Sequence, residues 1–151
     1  MKEKRQLLSA GFLLGVTHRR AVALLQHRLR DYDITPEQWS VLYHVTNEEG
    51  MIQKSIAEQT FKDKPTVTRI LHQLEQKGYI VRKADQIDRR SLRIYSTERG
   101  RSLITETESI EESISQEVIN CLGEQGHEQL VQSLNLLNSY LSKVKLAEEE
   151  E

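Results

Sequence analysis

The side chains best suited to chemistry lie between Asp63 and Thr97, and the chemistry they suit is polyanion recognition. Lys64, Thr66, Thr68, Arg69 and Gln73 recur along a stretch whose apolar residues are Val67, Ile70, Leu71 and Leu74. On a helix those apolar residues turn inward, which leaves the polar set outward or flanking. Arg can bridge guanine acceptors, Gln can pair with adenine, and Thr can touch a thymine methyl or a phosphate. A few residues downstream, Asp88, Arg89 and Arg90 sit in a polar loop where no core requires them. A loop arginine can enter a narrow minor groove or pair with phosphates. Asp88 is placed to hold one guanidinium by an ion pair. Each feature taken alone also fits an ordinary solvated surface.

The elements that position these residues can be read from caps and periodicity. Thr35-Pro36-Glu37-Gln38 predicts a helix start with a capping box and proline in the first turn. Trp39, Leu42 and Val45, or Val41, form its buried face, and it ends near Asn47. A short helix follows over Gln53–Gln59 with Ile56 and Ala57 inward. Ile52 is a poor cap for it, where Ser or Thr would serve best. Asp63 caps the next helix, Pro65 lies in its first turn, and Gly78 stops it. Tyr79–Lys83 and Leu92–Tyr95 alternate as two strands of a hairpin, with Ala84–Ser91 as the exposed tip.

Long amphipathic helices flank this central module. One runs from about Gln6 to Arg30 with Leu7, Leu8, Phe12, Val16, Leu24, Leu25 and Leu29 as its stripe. Gly11 and Gly15 within it allow a neighbouring helix to approach, or are simply tolerated. Another starts at Thr97, with Leu103, Ile110, Ile114 and Val118 on one face. After a break at Gly123–Gly126, Leu130, Leu134, Leu137 and Leu141 mark a last helix. A chain of 151 residues has little core with which to cover all these faces, and pairing with a second copy is the natural solution.

Charge is unevenly spread. The net value is −2, but Lys62 to Arg101 holds 11 basic and 5 acidic side chains. Residues 101–151 hold 3 and 11, so that end belongs away from a polyanion. Other classes lack their signatures. The sequence shows no glycine-rich phosphate loop, nucleophile elbow or carboxylate pair with an evident pocket, so no catalytic residue is assigned and an enzyme is not expected. Cys121 is the sole cysteine and reads as a packing residue. His18, His27, His44, His72 and His127 form no metal-ligand spacing, so neither a metal nor a cofactor is expected. No apolar run approaches membrane-spanning length, no signal peptide is evident, and a cytoplasmic location is expected.

The run TVTRILHQLEQKGYIVRKADQIDRRSLRIYSTERG resembles the signature of the MarR family of transcriptional regulators. Its parts are the recognition helix Thr66–Gln76, the stop Gly78, the strand Tyr79–Lys83, the wing Asp88-Arg89-Arg90 and the turn Thr97–Gly100. Thr35-Pro36-Glu37-Gln38-Trp39 resembles the family's second-helix start. The resemblance implies a mainly α fold with a small β-hairpin wing, a winged helix-turn-helix flanked by N- and C-terminal dimerisation helices. Residues 1–34 and 98–151 would form the dimerisation region and 35–97 the DNA-binding lobe. It implies a homodimer on a pseudo-palindromic double-stranded DNA operator, as a repressor released by a small aromatic or anionic effector. Arg89 would be the main wing arginine, supported by Arg90. Lys64, Thr66, Thr68 and Arg69 would supply most helix contacts, and Gln53 and Ser55 would touch phosphate. The competing reading is a winged-helix protein-interaction module without direct DNA readout.

Overall fold

The computed structural model describes residues 9–149, with side chains up to Val144. Leu7 and Leu8 of the expected first stripe lie outside the described residues. The elements run α1 (Ala10–Arg28), α2 (Pro36–Asn47), β1 (Met51–Ile52), α3 (Gln53–Thr60), α4 (Lys64–Gln76), β2 (Ile80–Ala84), β3 (Leu92–Ser96) and α5 (Glu98–Glu149). The chain divides into two compact units between Ile110 and Glu111.

In the first unit, local chemistry sets the helix boundaries. Thr35 and Gln38 form the full capping box at α2, and Pro36 occupies the first turn. The Asp63 carboxylate accepts the Thr66 N–H at 2.8 Å and so starts α4. At the other end of α4, Gly78 takes φ 77°. Its N–H donates to Glu75 O and that of Tyr79 to Leu74 O, which satisfies two terminal carbonyls. The start of α3 has no side-chain cap, as Ile52 led us to expect.

The hairpin is part of a larger sheet than expected. β1 adds to β3, giving a three-stranded antiparallel sheet in the order β1-β3-β2. Met51 pairs with Ile94, and Ile80 through Ala84 pair with Ser96 back to Leu92. Two residues carry no readable alternation, so β1 is invisible to periodicity. With β3 central, Ile94 is buried. It joins Val41, Leu42, Val45, Ile56, Val67, Ile70, Leu71, Leu74 and Ile80 in one core. Both Val41 and Val45 are buried, since α2 is enclosed on more than one side. Leu29, the cap just past α1, and Leu103 and Ile104 of α5 close the same cluster.

The second unit is helical, with the expected break at Gly123, where φ is 75°. Its apolar residues remain largely uncovered: Leu136 is 73% exposed and Tyr140 63%. Cys121 is exposed in the single chain, contrary to the expected packing role, because no described residue of its unit covers it. Gly11 has open space where a Cβ would sit and Gly15 meets only the end of Arg19, so among the described residues no other helix approaches these glycines.

Candidate nucleic-acid interface

Three elements converge on one groove. The start of α3, the start of α4 and the wing strands enclose about 580 Å³, lined by Lys54, Lys62, Lys64, Arg82 and Arg90 against the single acid Glu58. Gln53, Ser91, Leu92 and Ile94 complete much of its wall. Lys64 and Gln53 are therefore brought together with Arg90, as their assignment to one surface required. Lys54, Lys62 and Arg82 were missed. Their signal in the sequence was only charge, and it takes the tertiary arrangement to turn three separate cations toward one groove.

The exposed side of α4 is more internally bonded than its sequence implied. Thr68 donates to Lys64 O at 2.9 Å and accepts from Gln53 Nε2 at 2.5 Å, so one lone pair and its methyl remain for a partner. Thr66 is half-buried, and its backbone N–H serves the Asp63 cap. Arg69 pairs with Glu37 of α2 at 3.1 Å, and both side chains are about half exposed. Gln73 is half-buried and hydrogen-bonded to Gln38, so it is not a free outward amide. Ser55 is half-buried in the first turn of α3 and does not line the groove.

The wing tip is built by its acids. Asp88 forms no ion pair with Arg89 or Arg90 among the described residues, contrary to the expected guanidinium clamp. Its carboxylate instead accepts the Arg90 N–H at 3.1 Å, and its carbonyl accepts the Ser91 N–H at 2.9 Å. A short acidic side chain next to its own following amides closes a turn more readily than it reaches a long neighbouring side chain. Asp85 does the same for Ile87 at 2.8 Å and also binds Arg93 Nε at 2.5 Å. The Ile87 N–H, followed by the Arg93 guanidinium, holds the Asp85 carboxyl below its ordinary range. Arg93 then reaches Gly50 O at 2.8 Å and braces the wing to the segment before β1. Arg89 is left exposed at the tip, while Arg90 turns into the groove.

The remaining motif explains how the wing meets α5. Thr97 donates to Gly78 O at 2.6 Å and accepts from Gly100 N at 3.1 Å. It thus ties the stop of α4 to the start of α5. Gly100 is required by close approach: a Cβ there would lie 2.2 Å from Tyr79 O.

This geometry has counterparts among known proteins. The HTH-type transcriptional regulator SarZ of Staphylococcus aureus (strain MRSA252) is 35% identical over 92 residues, covering 61% of this chain and 62% of SarZ. The match thus spans less than two thirds of that relative's length. S. aureus MepR, solved as a complex with DNA, superposes with a TM-score of 0.82 at 28% identity, covering 87% of this chain and 98% of MepR. The transcriptional regulator SlyA superposes with a TM-score of 0.80 at 26% identity, covering 86% and 92% of the two chains. These relatives are transcriptional regulators, not enzymes. Residues 34–92, from α2 to the first residue of β3, match the MarR family, and over that lobe the chain is similar to it.

Proposed function

We propose that this chain is a sequence-specific double-stranded DNA-binding regulator, acting as a repressor on a pseudo-palindromic operator. The observation that carries the reading is the groove in which Lys54 of α3, Lys62 of the following turn, Lys64 of α4 and Arg90 of the wing face one acid, with Arg82 in the wall paired to Glu75 at 3.4 Å. Such a concentration of cations, beside the exposed helix face and wing arginine, matches a phosphate backbone flanked by two grooves. In this reading Arg89 enters the minor groove, and α4 presents Lys64, Thr66, Thr68 and Arg69 to the major groove.

Homodimerisation belongs to the same proposal. Residues 1–34 and 98–151 would form the dimer region and 35–97 the DNA lobe. Phe12 in α1 is 57% exposed, and Leu136, Tyr140 and Leu141 are more than half exposed in the second unit. Apolar faces of this kind call for a partner, and a two-fold copy supplies one that matches a two-fold site. A small aromatic or anionic effector would release the complex. The basic groove supports an anionic one, since ligand and phosphate would compete for the same cations. No described helix is long and apolar enough to cross a membrane. The proposed place of action is the cytoplasm, where the duplex is.

Selection of bound duplexes from a random pool tests the proposal. Enrichment of a two-fold symmetric site is the expected result. A pool that yields no enriched duplex would leave the protein-interaction reading in its place.

A further inference from the structure

Gln38 of α2 is 5% exposed, yet its amide is bonded on both sides. Its Oε1 receives the Thr35 N–H at 3.2 Å and Lys77 Nζ at 2.9 Å. Lys77 is itself held by Asp33, through the carboxylate and the backbone carbonyl, each at 3.1 Å. A backbone N–H and an ammonium can only donate, so the atom facing them has to be the amide oxygen. The Gln38 nitrogen is thereby directed at Gln73, 3.0 Å away, and the atom it meets there has to be Oε1. Arg69 Nη1 donates to that same oxygen at 3.4 Å. The Gln73 oxygen is thereby held toward Gln38.

We infer that Gln38, which need not touch DNA, is a positioning residue that sets how Gln73 reads a base edge. The inference rests on the operator reading above. A glutamine recognises adenine by accepting from N6 and donating to N7. Gln73 has its acceptor occupied and keeps only its amide hydrogens for a partner. It is therefore a donor-only reader, matched to the acceptors of guanine or to thymine O4, and not the adenine reader that its residue type implies. The chain of determination runs from Asp33 through Lys77 and Gln38 to Gln73.

Gln38→Glu tests this. The introduced carboxylate still accepts from Thr35 and Lys77, but it cannot donate. Gln73 then turns its nitrogen inward and presents its oxygen outward. Duplex selection with the full-length protein should show, at one symmetric pair of positions, a change from guanine or thymine to adenine or cytosine. The expected change in preference is about tenfold, the effect of one good base contact. Gln73→Ala should remove discrimination there and make Gln38→Glu silent in its background. If Gln38→Glu does not fold, Gln73→Glu leaves the capping box intact and should produce the same switch. Identical base preferences in wild type and the folded switch variant overturn the inference while the operator reading stands. A change at Gln38 that persists without Gln73 also overturns it. If the wild type enriches no symmetric site, the operator reading fails and this inference falls with it.

Discussion

The indole N–H of Trp39 on α2 donates to the hydroxyl of Thr107 on α5 across 2.8 Å, and both residues are buried. Thr107 donates its own O–H to Leu103 O at 2.7 Å, so its hydroxyl is used as donor and acceptor at once. This bond joins the helix that supports α4 to the helix that follows the wing. Thr107→Val keeps the shape but strands a buried indole donor, at a cost of about 1–3 kcal/mol. Chemical denaturation should show that loss. Combining it with Trp39→Phe, which removes the stranded donor, should cost less than the sum of the two single changes.

Glycine substitutions should have opposite signs at two positions. A Cβ on Gly100 would be driven against backbone, with Tyr79 O at 2.2 Å and Leu42 Cδ1 at 3.3 Å. Gly100→Ala should destabilise by about 3 kcal/mol, the upper end of ordinary overpacking, because a backbone cannot change rotamer. In α1, a Cβ on Gly15 would meet only the flexible end of Arg19 at 3.4 Å. Gly15→Ala should stabilise the chain by about 0.5–1 kcal/mol. Equal thermal midpoints for the two variants would contradict this account.

Arg89 stands exposed at the wing tip, outside the hydrogen-bonded turn that Asp85 and Asp88 build. Arg89→Ala should therefore leave the fold and the thermal midpoint unchanged. If the proposed dimer neutralises roughly 8 phosphates, log affinity should fall against log salt with a slope of about −7. Removing Arg89 should weaken operator binding roughly tenfold or more and flatten that slope by about 1 per subunit. Anisotropy titrations at several salt concentrations measure both. Unchanged affinity would remove the wing from the interface.

The wing turn should respond to acid through Asp85. Its folded carboxyl titrates below the ordinary value of 3.8, first because of the Ile87 N–H and then because of Arg93. A lowered carboxyl pKa contributes stability in full above its unfolded value and loses it as pH falls through the folded value. At neutral pH the turn is therefore at full strength. Carbon-detected NMR titration should place the Asp85 midpoint below the usual aspartate range. Arg93→Gln should raise it only part of the way, since the backbone N–H remains.

The recognition helix and wing were legible because local signals agree. Asp63, the stripe Val67, Ile70, Leu71, Leu74 and the stop Gly78 each point to the same helix, and the structure uses all three. Asp88 was read differently, as a partner for an arginine, when its nearest donors are the amides of its own turn. The arginine that does pair is Arg93, with Asp85, across the hairpin. Register decides that contact, and register depends on β3 lying between β1 and β2. The stripes of α1 and the second unit were expected to need a partner; among the described residues Leu29 and Leu25 join the core, while Phe12 and much of the second unit remain exposed.

The sequence by itself determined the order of elements, their caps and the charge imbalance, because helix starts, stops and periodicity are written within a few residues of one another. Tertiary structure alone decided which polar groups stay available. Gln38 reaches Gln73, Glu37 reaches Arg69 and Lys54 joins Arg90 at one groove only after the chain folds. Hydrogen-bonding capacity is finite, so a partner gained inside the protein is an acceptor or donor removed from its surface. Residue type named the candidate readers of DNA, and packing set which edge of each is left to read with.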